Sequence, residues 1–394
     1  MRNGFKIYCP MNKLLSPNFI YDERQLEHSN ARVLALVSES GCKVLDSPKA
    51  CTVPGVLKNL ANHMDGFSCS SLFEVHLVQE VVKHSGAIHL TTPGILAYQI
   101  DEIIEACDTV VLNSLSQWLR FREELKGTVD LGLRINPQLS FAEDPRYDPC
   151  REYSKLGVPL DQLADQFSNS PQTFVGLNGL HFHNNCDSTD PAALAATVDK
   201  IIAAIPSLLN QVSWINLGGG YLLDEFEEPD IFTGTVQRLT TEYDLDVIIE
   251  PGAALVRTAG SIVSSVIDLF ESDGITVAVL DTTVNHMPEV LEYEFVPDVL
   301  GHVDGGKYSY LLAGCTCLAG DQFGISSFDA PIEIGSTITF PNTGAYTISR
   351  ANTFNGVNLP SIYRRDMSGN LILEKEHTFE EFAARAGGVS NVRV

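Results

Sequence analysis

Lys49 stands just past an apolar run, in SPKACT, where a lysine could serve as an amine nucleophile that forms a Schiff base. It must first shed its proton, and desolvation beside a second positive charge lowers an ammonium pKa in the direction required. Taken alone, a lysine at a strand end is a solvated surface charge, so the rest of the pattern decides. Gly218, Gly219 and Gly220 follow another apolar run directly. Three successive glycines let backbone N–H groups close around an anion such as a phosphate monoester, or they simply make a tight turn. Glu250 ends a third run, in IIEPG, where the following proline and glycine fix a turn and aim the carboxylate inward. It can keep a heteroaromatic nitrogen protonated or act as a structural ion-pair partner. His181 and His183, in LHFHNN, alternate along a strand and so face one side. One could stack on a flat aromatic ligand and two could hold a metal, but no further histidine or aspartate follows at ligand spacing, and no metal is expected. Arg134, in LRINP, is a charge on an apolar strand; buried, it needs either a ligand anion or a nearby carboxylate.

These residues need a scaffold that points them at one place. From residue 43 onward eight short β-like runs recur: KVLDSP (43–48), FSCSS (67–71), AIHLTT (87–92), TVVLNS (109–114), DLGLRIN (130–136), LNGLHFHN (177–184), WINLGGG (214–220) and DVIIEPG (246–252). Most are nearly continuous in apolar or β-branched residues, as strands buried on both faces of a parallel sheet are. Between them, segments 56–64, 72–84, 94–107, 115–125 and 194–209 have helical spacing. This alternation predicts an α/β fold with a TIM (β/α)8 barrel, since an open doubly wound sheet ordinarily uses fewer strands. Polar residues and glycines gather at the C-terminal ends of the runs, the edge where chemistry sits in a barrel.

After about residue 256 the runs SIVSSVIDLF, ITVAVLD, YSYLLAG, STITF and AYTISR are separated by turn residues without long helices, which predicts a mostly antiparallel β-domain. NFIYDERQL, near the start, also reads as a strand able to join it. The expected division is therefore a barrel over 25–256 and a discontinuous β-domain made of 1–24 and 257–394, with a short helix at 378–386 near a loose end.

Composition bounds the partners. The chain has 394 residues, 44 % of them hydrophobic, enough for a large core. It shows neither an apolar run long enough for a bilayer nor a cleavable leader, so a cytoplasmic protein with no membrane partner is expected. Nine scattered cysteines without a CxxC pair suggest small buried residues, not zinc or redox sites. With 50 acidic against 26 basic side chains and a net charge of −24, the chain lacks the basic footprint that nucleic acid or anionic membranes demand. That charge suits a small cationic ligand.

The order Lys49, Arg134, HFHNNC (181–186), GGG (218–220), EPG (250–252), CTCLAGD (315–321) and AYT (345–347) resembles the alanine-racemase-fold decarboxylases that use pyridoxal 5'-phosphate (PLP), among them ornithine and diaminopimelate decarboxylase. NSLSQWLRF (113–121), LRINPQLS (133–140), YDPC (147–150), SKLGV (154–158), HMPEVLE (286–292) and TFNGVNLPS (353–361) are similar to the branch that decarboxylates carboxynorspermidine and carboxyspermidine in polyamine biosynthesis. The resemblance implies an alanine-racemase-like barrel plus β-domain, and a homodimer with shared active sites. It makes Lys49 the lysine bonded to PLP, His183 the residue stacked on its ring, Gly218 to Gly220 the phosphate loop and Glu250 the partner of the ring nitrogen. Arg134 would lie under the cofactor and Tyr346 on its phosphate. Cys317 would reach in from the neighbouring subunit to return a proton to the substrate carbon, and Asp321, His286 and Glu289 would meet the substrate, Asp321 near its distal amine. Two positions depart from the branch: Pro48 where an aliphatic residue is usual, and Ala253 where glutamate is frequent. Other readings on the same scaffold are a decarboxylase for diaminopimelate or a siderophore precursor, and a racemase, against which CLAGD speaks. A non-catalytic homologue that binds a partner would have lost the lysine or its anchors, and all are present.

Overall fold

The structure, a computed structural model, describes residues 16–83, 86–142 and 144–388. Its first strand, β1 (Asn18–Asp22), belongs to a unit formed by Met1–His28 and Val256–Val394, while Ser29–Leu255 form a second unit.

In that second unit eight parallel strands close on themselves: β2 (Lys43–Asp46), β3 (Gly66–Cys69), β4 (Ala87–Thr91), β5 (Thr109–Leu112), β6 (Asp130–Asn136), and, past a two-residue strand β7 (Val158–Pro159), β8 (Gly179–His181), β9 (Trp214–Asn216) and β10 (Asp246–Ile249). β10 returns to β2 and β5 pairs β6, so the TIM barrel has no free edge, and β7 hangs on β6. Serine and aspartate start several of the outer helices. Ser71 accepts from Glu74 N–H before Leu72–Val82, Ser114 from Gln117 N–H before Leu115–Leu125, and Asp190 from Ala192 N–H before Pro191–Ala204. The helical run expected over 194–209 is broken because Pro206 excludes helical geometry at Ile205, whose φ and ψ are −134° and 46°.

The barrel interior is built in layers. Leu45, Val111, Trp214 and Ile248 make an apolar plug. Gly132, Gly179 and Trp214 are register partners on β6, β8 and β9, and the two glycines make room for the indole. A Cβ at Gly179 would lie 2.0 Å from Trp214 Cδ2, and one at Gly132 2.5 Å from Cη2. Two residues further along the same strands, Arg134, His181 and Asn216 are again register partners. Strand alternation therefore lays a polar tier directly on the apolar plug.

The other unit is an eight-stranded sheet. Besides β1 it contains β11 (Gly260–Ser272), β12 (Ile275–Leu280), β13 (Tyr308–Ala313), β14 (Gln322–Phe328), β15 (Thr337–Phe340), β16 (Ser361–Arg365) and β17 (Leu371–Lys375). The order is β14-β13-β12-β11-β1-β16-β17, with β15 also on β11. Pairing is antiparallel except for β1 with β16 and β12 with β13. The helix Phe379–Arg385 starts with a capping box between Thr378 and Glu381.

Candidate active site

Glu250 follows β10 directly and is buried. Its Oε2 lies 3.2 Å from His181 Nε2, and its Oε1 accepts from Asn216 Nδ2 at 2.7 Å. Burial alone would push this carboxyl up, but His181, the charge of Lys49 and a hydrogen bond from Ser68 outweigh it and hold Glu250 well below the usual carboxylate range. His181, 1 % exposed, is shifted the other way: burial lowers its pKa, and the charges of Arg134 and Lys49 add to that against the pull of Glu250. The imidazole is thus neutral, with its proton on Nε2 facing Glu250. Among the described residues its Nδ1 has no partner.

Lys49 sits in the turn after β2, which is tied to the turn after β10 by Ser47 N–H to Pro251 C=O at 3.2 Å and closed by Ala50 N–H to Ser47 C=O at 3.0 Å. Pro48 lies past the strand end, so the N–H it lacks is not needed by the sheet. The Lys49 ammonium makes no hydrogen bond or ion pair with any described residue. Burial lowers its pKa, Glu250 opposes the shift and Arg134 reinforces it. Arg134 is buried, its Nε has no partner among the described residues, and burial pulls its pKa down to about 10, still charged at neutral pH. A buried guanidinium left in this state costs several kcal/mol unless an anion meets it.

The glycine loop differs from the expected cradle of three amides. Gly218 N–H donates to Asn216 Oδ1 at 2.9 Å and Gly219 N–H to His183 Nδ1 at 3.0 Å. Two amides are thus consumed inside the protein, while those of Gly220 and Tyr221 find no acceptor among the described residues. Gly220 has φ of +86°, and a Cβ there would fall 2.0 Å from the Asn185 carbonyl oxygen, so only glycine fits. Because Gly219 can only donate, His183 Nδ1 must accept, which leaves the proton on Nε2. Burial first, then Lys49 and Arg134, hold the His183 pKa well below its ordinary value. The ring is neutral and partly open to solvent.

Five other residues singled out in the sequence lie in the sheet unit. Cys317 is exposed, and its N–H donates to Asn355 Oδ1 at 2.9 Å. Tyr346 has φ of +56°, a conformation that costs a side chain roughly 1 kcal/mol or more and is seldom kept without a reason. The three residues expected to meet the substrate make contacts within their own unit. Asp321 is 3 % exposed, and its carboxylate accepts from Val284 N–H at 2.8 Å, from Thr316 N–H at 3.0 Å and from the Thr316 hydroxyl, so it shapes the turn that carries Cys317. His286 is fully buried with Nδ1 2.9 Å from Thr282 Oγ1, and burial lowers its pKa to about 4. Glu289 is paired with Arg350 at 3.1 Å. Within the protomer these three groups are engaged by their own unit. Asn216, Ser68 and Asn355 were missed in the sequence. Only Asn216 left a signal: two residues after Trp214 on one strand, it must face inward beside the glycines.

The chain matches known proteins over most of its length. The family model described as "Pyridoxal-dependent decarboxylase, pyridoxal binding domain" matches residues 28–257. The chain is 32 % identical over 379 residues to a carboxynorspermidine/carboxyspermidine decarboxylase of Herminiimonas arsenicoxydans, covering 94 % of this chain and 98 % of that one. It is 33 % identical over 383 residues to a carboxyaminopropylagmatine decarboxylase of Synechocystis, covering 96 % and 97 %. The crystal structure of carboxynorspermidine decarboxylase from Campylobacter jejuni, complexed with norspermidine, superposes with a TM-score of 0.86 at 28 % identity, covering 94 % of this chain and all of that one. With the barrel spanned by the pyridoxal-binding model and the relatives matched almost end to end, the chain belongs to the pyridoxal-dependent decarboxylases of the alanine-racemase fold.

Proposed function

We propose that this enzyme uses PLP to decarboxylate the amino-acid head group of a carboxylated polyamine, carboxyspermidine or carboxynorspermidine, in polyamine biosynthesis. The observation that carries the reading is Lys49, an amine without a hydrogen bond in a desolvated barrel mouth beside the ionised Glu250. The residues present fit PLP group by group. Lys49 would meet the aldehyde, Arg134, whose Nε has no partner among the described residues, an anionic oxygen, Glu250 the ring nitrogen, the neutral His183 ring the aromatic face, and the Gly220 and Tyr221 amides the phosphate. The barrel unit is thus the cofactor domain and the sheet unit carries the rest.

Bound PLP supplies a protonated pyridine ring that takes up the electron pair released as CO₂ leaves. The protein does the remainder. Burial lowers the pKa of Lys49, which makes its proton easier to lose and Nζ a better nucleophile. Glu250, kept ionised by His181 and Asn216, holds a proton on the ring nitrogen. His183 stays neutral and adds no second positive charge to the ring face. Cys317 Sγ, exposed on the protomer and pinned at its backbone by Asn355, delivers the proton to the substrate Cα from the neighbouring subunit. The active species is then a homodimer. The net charge of −24 favours encounter with a cationic substrate. No helix among the described residues is long and apolar enough to cross a membrane, and the eight described cysteines are all free, which suits a reducing cytoplasm.

Carboxyaminopropylagmatine is a second candidate, because the relative of that name is as similar as those named for carboxyspermidine. CO₂ release from these three compounds and from diaminopimelate tests the assignment. A carboxylated polyamine is expected to give a kcat/KM at least about tenfold above diaminopimelate, roughly 1.4 kcal/mol of transition-state preference. Preference for diaminopimelate would overturn it.

A further inference from the structure

Asn216 ends β9 and is wholly buried. Its carboxamide does two things at once: Nδ2 donates to Glu250 Oε1 at 2.7 Å and Oδ1 accepts from Gly218 N–H at 2.9 Å. The orientation is fixed by chemistry, since an ionised carboxylate can only accept and a backbone N–H can only donate. Backbone bonds run alongside: Glu250 N–H to Gly218 C=O at 2.8 Å and Leu217 N–H to Ile248 C=O at 2.8 Å. The side chain that faces the cofactor's ring nitrogen and the loop that faces its phosphate are therefore joined through one amide. Aspartate is nearly the same size but offers an anion to Glu250 while still accepting from Gly218; alanine offers neither contact.

We infer that Asn216 is a positioning residue that sets the Glu250 carboxylate and the glycine loop at one fixed separation, so that the ring and the phosphate of PLP are gripped together. The inference rests on the PLP reading above. It predicts that the two grips can be loosened separately, which a residue that merely stabilises the fold would not allow.

The test is equilibrium dialysis of cofactor-free protein against PLP and against pyridoxal, the same ring without the phosphate, with thermal unfolding of each variant recorded alongside. Asn216→Asp keeps the acceptor for Gly218 and disturbs only Glu250. It should weaken PLP and pyridoxal by the same factor, at least fivefold, leaving their affinity ratio unchanged. Asn216→Ala should weaken PLP at least tenfold and lower the PLP-to-pyridoxal ratio at least threefold. Parent-like affinities in both variants would overturn the inference, as would an alanine variant whose ratio stays at the parent value. If the alanine variant does not fold, the aspartate variant decides alone, and a loss confined to PLP sinks the idea. A parent protein that fails to bind PLP at all would instead overturn the cofactor reading, and this inference with it.

Discussion

Gly179→Ala is the sharpest perturbation of the scaffold under the site. The new Cβ would lie 2.0, 2.1 and 2.3 Å from three atoms of the Trp214 indole, so the ring must retreat by roughly 1.5 Å to reach ordinary van der Waals distance. It cannot retreat toward β6, because Gly132 already sits against its far edge, and its Nε1 is held at 2.9 Å by Asp130 Oδ2. Overpacking of this kind costs 1–3 kcal/mol when neighbours can yield. With both sides closed the upper end applies, about 3 kcal/mol, or a melting temperature lower by roughly 6–12 °C for a unit of this size. Cofactor binding should weaken too, because Arg134 and His181 stand two residues further along the same strands. Trp214→Phe alone should cost about 2–4 kcal/mol as a cavity with one hydrogen bond lost. The double variant should cost less than the sum by at least about 1.5 kcal/mol, since the smaller ring vacates the space the methyl needs. Denaturant unfolding of the four cofactor-free proteins measures this coupling, and additivity within about 0.5 kcal/mol would refute the layered-plug account.

Two further outcomes concern charge and assembly. Because the folded pKa of Lys49 is lowered, its protonation favours the unfolded chain. The cost is full below the folded pKa, shrinks as pH rises from there toward the unfolded value of about 10.4, and is gone above it. Lys49→Met should therefore stabilise the cofactor-free protein by roughly 1–4 kcal/mol at neutral pH, with the advantage fading near pH 10.4; a gain independent of pH in thermal melts would contradict the assigned burial cost. Mixing Lys49→Ala with Cys317→Ala, each inactive, should restore about one quarter of parental activity after subunit exchange, since half the dimers then hold one intact site. No recovery despite demonstrated exchange would place both residues in one subunit's site.

The eight barrel strands were legible because a sheet buried on both faces must be apolar along its whole length, a pattern that needs no partner information. Lys49 and Glu250 were legible for a related reason, being polar residues at the ends of such runs. The helix starts at Leu72 and Leu115, each after a capping serine, were legible, whereas the Asp190-capped start at Pro191 lies before the run read from 194, and the break at Ile205 is the kind of boundary a following proline enforces. What the chain's order leaves open is how each polar group distributes its bonds. The triple glycine reads as three amides free for an anion, yet two of them are spent on Asn216 and His183. Nothing in the spacing of Asp321 shows that its carboxylate accepts from Val284 N–H and Thr316 N–H. A buried donor must find an acceptor, and that acceptor can lie anywhere in the chain, so spacing names the candidates without allotting them.

The same requirement explains why the groups left over are informative. In a tier where Glu250, Asn216, Gly218, Gly219 and His183 satisfy one another, the amine of Lys49, the Arg134 Nε and the amides of Gly220 and Tyr221 remain without a described partner. Leaving so many donors unmet around one barrel mouth would cost several kcal/mol. All four can donate, and the Arg134 guanidinium is cationic, so what satisfies them must be rich in acceptors and anionic, while the bare His181 Nδ1 is left for a donor. A phosphorylated pyridoxal meets that demand, whereas the cationic polyamine does not.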